Sequence, residues 1–110
     1  MAETETEQKI AQLQLFEQSM QNVLMQKQQF QAQLMEIDSA LSELEKTNEA
    51  YKIVGNIMVA AEKENLKNDL ESKKETLKLR IKSLEKQETQ IKEKAAKMQA
   101  EVMEKIKKEK

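Results

Sequence analysis

The chain has 110 residues, of which 38% are hydrophobic and 35% are charged, and it holds two Phe, one Tyr and no Trp. So few large apolar side chains exclude an ordinary globular core, while a net charge of −1 and the absence of Pro argue against disorder. Cys and His are both absent, which excludes disulfides and thiol chemistry. Catalysis would then need carboxylates, Lys or Tyr51 in a pocket, and two paired helices make none. We therefore expect a non-enzymatic chain of long helices or coiled coil that needs no cofactor.

No part of the sequence indicates a membrane or a nucleic acid as a partner. No window approaches the run of about eighteen apolar residues that a membrane span needs. The first residues, MAETETEQK, are acidic where a signal peptide is basic. A pI near 5.7 argues against nucleic-acid binding through bulk charge. These observations predict a cytoplasmic protein.

The first predicted element is a helix from about residue 8 to residue 46. Its apolar residues recur at alternating spacings of three and four, which is typical of a coiled-coil seam. The seam positions are Leu13, Phe16, Met20, Val23, Lys27, Phe30, Leu34, Ile37, Leu41 and Leu44. Lys27 is the polar exception, and a polar residue at such a position often fixes the register of helix pairing.

Residues 51–60, with the sequence YKIVGNIMVA, interrupt this pattern with β-branched residues around the single glycine of the chain. Gly55 followed by Asn56 suits a two-residue type II′ turn, which places Val54 opposite Ile57 and predicts a β-hairpin. A helical kink that contains a glycine is the alternative. Both faces of the predicted hairpin are apolar, one formed by Tyr51, Ile53 and Met58 and the other by Val54, Ile57 and Val59.

The last predicted element is a helix from about residue 62 to residue 108. Its apolar stripe repeats every seven residues, at Leu70, Leu77, Leu84, Ile91 and Met98, with Lys74, Ile81, Glu88, Ala95 and Val102 as companions. If the chain reverses at residues 55–56, a residue of the first helix lies beside the residue of the second helix for which the two residue numbers add up to about 111. With this pairing the two seams coincide. Lys27 then faces Leu84, with Glu85 and Glu88 near its ammonium group.

The hairpin is too small to be stable alone, and its open edges and two apolar faces favour pairing with other chains. We therefore predict a fold dominated by α-helix, in which a long antiparallel two-helix coiled coil carries one hairpin. Several hairpins would assemble into an oligomeric β-barrel base. The predicted oligomerisation residues are Tyr51, Ile53, Val54, Gly55, Ile57, Met58 and Val59.

Two segments resemble one protein family. The segment EAYKIVGNIMV (49–59) resembles the hairpin of prefoldin beta-type subunits, and LKLRIKSLEKQE (77–88) is similar to the segment that follows it in archaeal members. The loop at 47–49 departs from an aspartate pair that many relatives carry. The resemblance implies one prefoldin-like domain over residues 1–110 and a hexamer of two alpha-type and four beta-type subunits. It also implies ATP-independent capture of unfolded proteins and their delivery to a group II chaperonin.

The same resemblance implies that client proteins are bound toward the free ends of the two helices. The candidate residues there are Ile10, Leu13, Phe16, Met98, Val102, Met103 and Ile106. Seam packing is the alternative role for Leu13, Phe16 and Met98, whereas Met103 and Ile106 lie off the seam. A coiled-coil scaffold without client binding is the alternative function; it explains both seams but not a hairpin with two apolar faces.

Overall fold

The computed structural model describes residues 2–109. It consists of helix α1 (Ala2–Lys46), strand β1 (Ala50–Val54), strand β2 (Ile57–Ala61) and helix α2 (Lys63–Glu109). The predicted fold of two long helices joined by a hairpin is therefore confirmed. Helix α1 begins well before residue 8, where the apolar seam placed its start. The helical backbone continues through acidic residues, which are favourable near a helix N-terminus.

The chain divides into two compact units. The terminal unit comprises residues 1–27 with 83–110, and the hairpin unit comprises residues 28–82. Each unit contains a segment of α1 and a segment of α2, and the contacts described below show that these segments run antiparallel in both.

In the terminal unit, the apolar seam is closed by Val23, Leu84 and Val102, which are buried. Ion pairs connect the two helices at both ends of the unit: Lys105 Nζ lies 2.6 Å from Glu5 Oε2, and Lys27 Nζ lies 3.3 Å from Glu88 Oε2. Residues near the start of α1 therefore meet residues near the end of α2. The predicted placement of Glu88 beside Lys27 is confirmed.

In the hairpin unit, the buried residues are Leu44, Ala50, Leu77 and Ile81. Lys74 Nζ lies 2.8 Å from Asp38 Oδ1, and the guanidinium of Arg80 lies 5.6 Å from the centre of the Phe30 ring. These pairs have position sums of 112 and 110, close to the predicted value of 111. The antiparallel register inferred from the two seams therefore describes this unit well.

Local hydrogen bonds lie at the two junctions between the helices and the hairpin. Thr47 follows α1, and its hydroxyl accepts a hydrogen bond from the Glu49 amide (3.2 Å) and donates one to the Glu49 carbonyl (3.1 Å). Before α2, the Glu62 carbonyl accepts the Leu66 amide (3.0 Å), and its carboxylate accepts the Asn65 side-chain amide (3.1 Å). Glu62 thus marks the start of α2, in agreement with the start near residue 62 that the sequence predicts.

Neither helix within residues 2–109 combines the length and the apolar character that a membrane crossing requires. The same part of the chain holds no group of three or more acidic side chains arranged to bind a metal ion.

Candidate assembly and client-binding surfaces

The hairpin has the predicted register and turn. Strands β1 and β2 are antiparallel, with Val54 opposite Ile57 and Ile53 opposite Met58. Gly55 has a φ of +62°, and Asn56 has no positive φ. A type I′ turn requires positive φ at both central residues, whereas type II′ requires it only at the first. The backbone therefore matches a type II′ turn, for which glycine at position 55 is the natural residue.

Both faces of the hairpin are open to solvent in the single chain. Every residue from Tyr51 to Ala60 is exposed, and Ile53 is 71% exposed, while Ile57 and Met58 are each 65% exposed. Ile53 and Met58 share one face, and Val54 and Ile57 share the other. Each strand also has one free edge, because the described sheet contains two strands only. A contiguous apolar patch with unpaired edges is typical of a protein–protein interface.

The terminal unit carries a second set of exposed apolar side chains. Leu15 is 60% exposed and Met103 is 54% exposed, and Ile10 and Ile106 are also exposed. These four residues come from both helices of the unit. Methionine is flexible and polarisable, so it adapts to apolar partners of different shape. Leu15 belongs to the apolar residues that the sequence places at the free ends of the helices, and its exposure adds it to the candidate client contacts.

The remaining predicted client contacts are less accessible. Leu13, Phe16 and Met98 are half-buried, while Val102 is only 6% exposed. Val102 belongs to the same seven-residue stripe of α2 as Ile81, and both side chains are used to pair the helices. The predicted client contact at Val102 is therefore not available on the surface of this chain.

A groove in the terminal unit was not predicted. It has a volume of about 460 Å³ and is lined by apolar residues of both helices, with Gln14, Glu17, Lys92 and Gln99 at its polar parts. Leu13, Phe16 and Ile91 line it together with Ala95 and Ala96. The two consecutive alanines leave space at the groove that larger side chains would fill. The groove adds concave apolar surface to the exposed residues of the same unit.

Lys27, Glu88 and Lys92 form a cluster of charged side chains in the terminal unit. The Glu88 carboxylate accepts hydrogen bonds from Lys92 Nζ (3.2 Å) and Lys27 Nζ (3.3 Å). These bonds, with the Lys92 bond as the larger cause, lower the pKa of Glu88 from its ordinary value of 4.5. Because Lys27 lies in an otherwise apolar seam, its pairing with Glu88 avoids leaving an unpaired charge there.

Fold and surfaces together define a class of protein: a chain of two long helices joined by a β-hairpin that exposes both of its apolar faces. The comparisons agree on one family within this class. The model of the family described as "Prefoldin subunit" matches residues 7–109. The chain belongs to the prefoldin family.

Individual relatives support this assignment. The prefoldin beta subunit of Archaeoglobus fulgidus is 42% identical over 93 residues, which cover 82% of this chain and 80% of the relative. The prefoldin beta subunit of Pyrococcus furiosus is 43% identical over 88 residues, covering 77% and 75%. The crystal structure of the prefoldin beta subunit from Thermococcus strain KS-1 matches with a TM-score of 0.85 and 33% identity, covering 91% of this chain and 90% of that one. Prefoldins are chaperone subunits and are not known as enzymes, so family membership implies a chaperone role in a complex.

Proposed function

We propose that this chain is the beta-type subunit of an ATP-independent chaperone that holds unfolded proteins and passes them to a group II chaperonin. It works in the cytoplasm as a single domain, in a hexamer of two alpha-type and four beta-type subunits. The observation that carries the proposal is the hairpin of a prefoldin-family chain, which exposes both apolar faces and both strand edges.

The energetics of the hairpin favour assembly. Burying one Ile, Val or Met side chain fully is worth about 1.5 to 3 kcal/mol. Ile53, Val54, Ile57 and Met58 are all more than half exposed in the single chain, so most of this free energy is still available. Hydrogen bonding of the free strand edges adds to it, as in other cases of strand addition. Together these terms support hairpins closed into a β-barrel.

The terminal unit supplies the surface for clients. Its exposed residues, Ile10, Leu15, Met103 and Ile106, offer apolar contact that does not depend on the sequence of the partner. Charged neighbours, among them Glu101, Glu104 and Lys105, limit self-association of this surface. Several such units on one assembly bind one unfolded chain with high avidity even when each contact is weak. No nucleotide is needed for this mode of binding.

The client-binding proposal is tested by reducing apolar exposure in the terminal unit. A Met103→Ser and Ile106→Ser double variant should suppress aggregation of a chemically denatured test protein several-fold less well than the unmodified chain. Leu24→Ser with Met25→Ser is the matched control, because Leu24 and Met25 are 40% and 61% exposed in the same unit, close to 39% for Ile106 and 54% for Met103, and neither is a predicted client contact. Equal suppression by the double variant and the unmodified chain would reject these residues as contacts. If no form suppresses aggregation, the scaffold function replaces the chaperone function.

The assembly proposal is tested separately. An Ile53→Lys and Ile57→Lys double variant places charges on both faces of the hairpin, so native mass measurement should show dissociated chains with unchanged helical circular dichroism. Gln18→Lys with Gln21→Lys adds the same charge at exposed positions of α1 and should leave the mass unchanged. A hairpin variant with the full mass would show that the hairpin does not hold the assembly together.

A further inference from the structure

The two helices of the hairpin unit carry opposite net charge. Residues 28–46 of α1 hold four acidic residues and one Lys, giving 1 − 4 = −3. Residues 63–82 of α2 hold seven basic and four acidic residues, giving 7 − 4 = +3. The ion pair between Lys74 and Asp38 uses one charge from each helix. The excess that remains is presented on the surfaces that face away from the seam.

Each of these surfaces also exposes one large apolar side chain. Met35 on α1 is 72% exposed and Leu79 on α2 is 68% exposed, which are the highest values for large apolar residues of the described helices. Met35 is followed by Glu36, and Leu79 is flanked by Lys78 and Arg80, with all three charged residues exposed. The register of the unit, with position sums of 110 to 112, places Met35 and Leu79 within about one helical turn of each other along the helix pair.

The topology of the hairpin determines which helix of a neighbour lies beside each of these surfaces. Ala50 pairs with Ala61 at the open end of the hairpin, so α1 and α2 join it at the same end. Consider a barrel in which the helices of all copies leave on the same side and every hairpin turns the same face inward. Strand β2 of one copy then pairs antiparallel with strand β1 of the next copy. Helix α2 of one copy then stands beside α1 of its neighbour.

The widths of these elements favour contact between such neighbours when the two helices of each pair lie side by side around the barrel. A hairpin occupies about 10 Å around a barrel, because neighbouring strands lie about 4.8 Å apart. Two packed helices need about 20 Å, since their axes lie 8 to 10 Å apart and each helix is about 10 Å across. Helix pairs that start from adjacent hairpins therefore meet close to the base before they can diverge.

We propose that neighbouring copies of this chain are arranged head to tail, with the Leu79 surface of α2 in one copy packed against the Met35 surface of α1 in the next. The basic side chains beside Leu79, chiefly Lys78 and Lys82, then face Glu36 of the neighbour. This inference rests on the proposed assembly through the hairpins. Such a contact fixes the order of the subunits, because a reversed neighbour would bring like charges together.

Disulfide crosslinking between separate chains tests the arrangement. The chain has no native Cys, so Met35→Cys and Leu79→Cys variants each carry one thiol. When the two variants are mixed, co-assembled and oxidised, we expect a 35–79 disulfide dimer, identified by peptide mass. Each variant oxidised alone should give little dimer. A 35–35 or 79–79 dimer, or an intact assembly without the 35–79 product, would overturn the inference and leave the hairpin assembly standing.

Charge reversal provides a second readout. Lys78→Glu with Lys82→Glu should raise the chain concentration needed for assembly about three- to tenfold at low salt, and adding Glu36→Lys should recover most of the loss. An unchanged concentration for the first variant would contradict the proposed contact. If native mass measurement shows that this chain assembles neither alone nor with an alpha-type subunit, both this inference and the proposed assembly through the hairpin are wrong.

Discussion

Two leucines of the terminal unit should separate folding from function. Leu84 lies in the seam and is 6% exposed, whereas Leu15 is 60% exposed on the outside of the same unit. The same substitution at both positions, Leu84→Ala and Leu15→Ala, removes the same atoms from two different environments. We expect Leu84→Ala to destabilise the helix pair, and Leu15→Ala to weaken client holding without changing stability.

The magnitude follows from burial. Truncating a buried Leu to Ala typically costs about 2 to 5 kcal/mol, and a two-helix seam that can partly close around the gap places Leu84→Ala near the lower end, at about 2 to 3 kcal/mol. With a urea dependence of about 2 kcal/mol/M, the unfolding midpoint falls by about 1 to 1.5 M. Leu15→Ala should change the free energy of unfolding by no more than about 0.5 kcal/mol, because the site is exposed and Ala has the better helix propensity.

The assay is urea unfolding followed by far-ultraviolet circular dichroism, at one chain concentration because assembly contributes to apparent stability. Aggregation suppression is measured on the same variants well below the unfolding midpoint of the less stable one. Equal midpoints for the two variants would refute the assignment of Leu84 to the core. Full client holding by Leu15→Ala would remove Leu15 from the client surface.

Three further predictions concern the turn, the charged layer and the register. Gly55→Ala should raise the chain concentration needed for assembly, because a φ of +62° costs a non-glycine residue about 1 to 2 kcal/mol; unchanged assembly would contradict the type II′ turn. The pKa of Glu88 is lowered in the folded chain, so its ionised carboxylate contributes stability that is fully present above pH 4.5 and is lost as the pH falls through the folded-state pKa. Glu88→Gln should therefore lose less stability on acidification than the unmodified chain, and an identical loss would refute the stabilising role of the Glu88 carboxylate. Leu34→Cys with Leu77→Cys should oxidise within one chain faster than Leu34→Cys with Leu70→Cys; the reverse order would show a register shifted by one heptad.

The parts of the fold that depend on local chemistry were predictable from the sequence. Gly55 and Asn56 specify the turn because only the first central residue needs a positive φ, and the turn then sets the strand register. The helix register followed from the two seams once the reversal point was known. The Lys27–Glu88 pair was predictable for the same reason, since a seam lysine needs an acidic partner.

Features that depend on packing or on hydrogen bonds of single side chains were less predictable. Glu62 begins α2 through its carbonyl and carboxylate, although Glu is not among the preferred N-cap residues. Val102 was assigned to client binding because it lies near the chain end, but its position in the α2 stripe buries it. The groove beside Ala95 and Ala96 depends on how closely the helices approach, which a single sequence does not specify.

The most direct test of the account compares the full chain with a variant that lacks residues 1–12 and 99–110. Both are assembled, their native masses are measured, and each is added without nucleotide to a chemically denatured test protein while light scattering follows aggregation. We predict that the truncated form keeps the subunit count of the full chain but no longer suppresses aggregation, because it has lost Ile10, Met103 and Ile106. A truncated assembly that suppresses aggregation as well as the full chain would contradict client binding at the terminal unit.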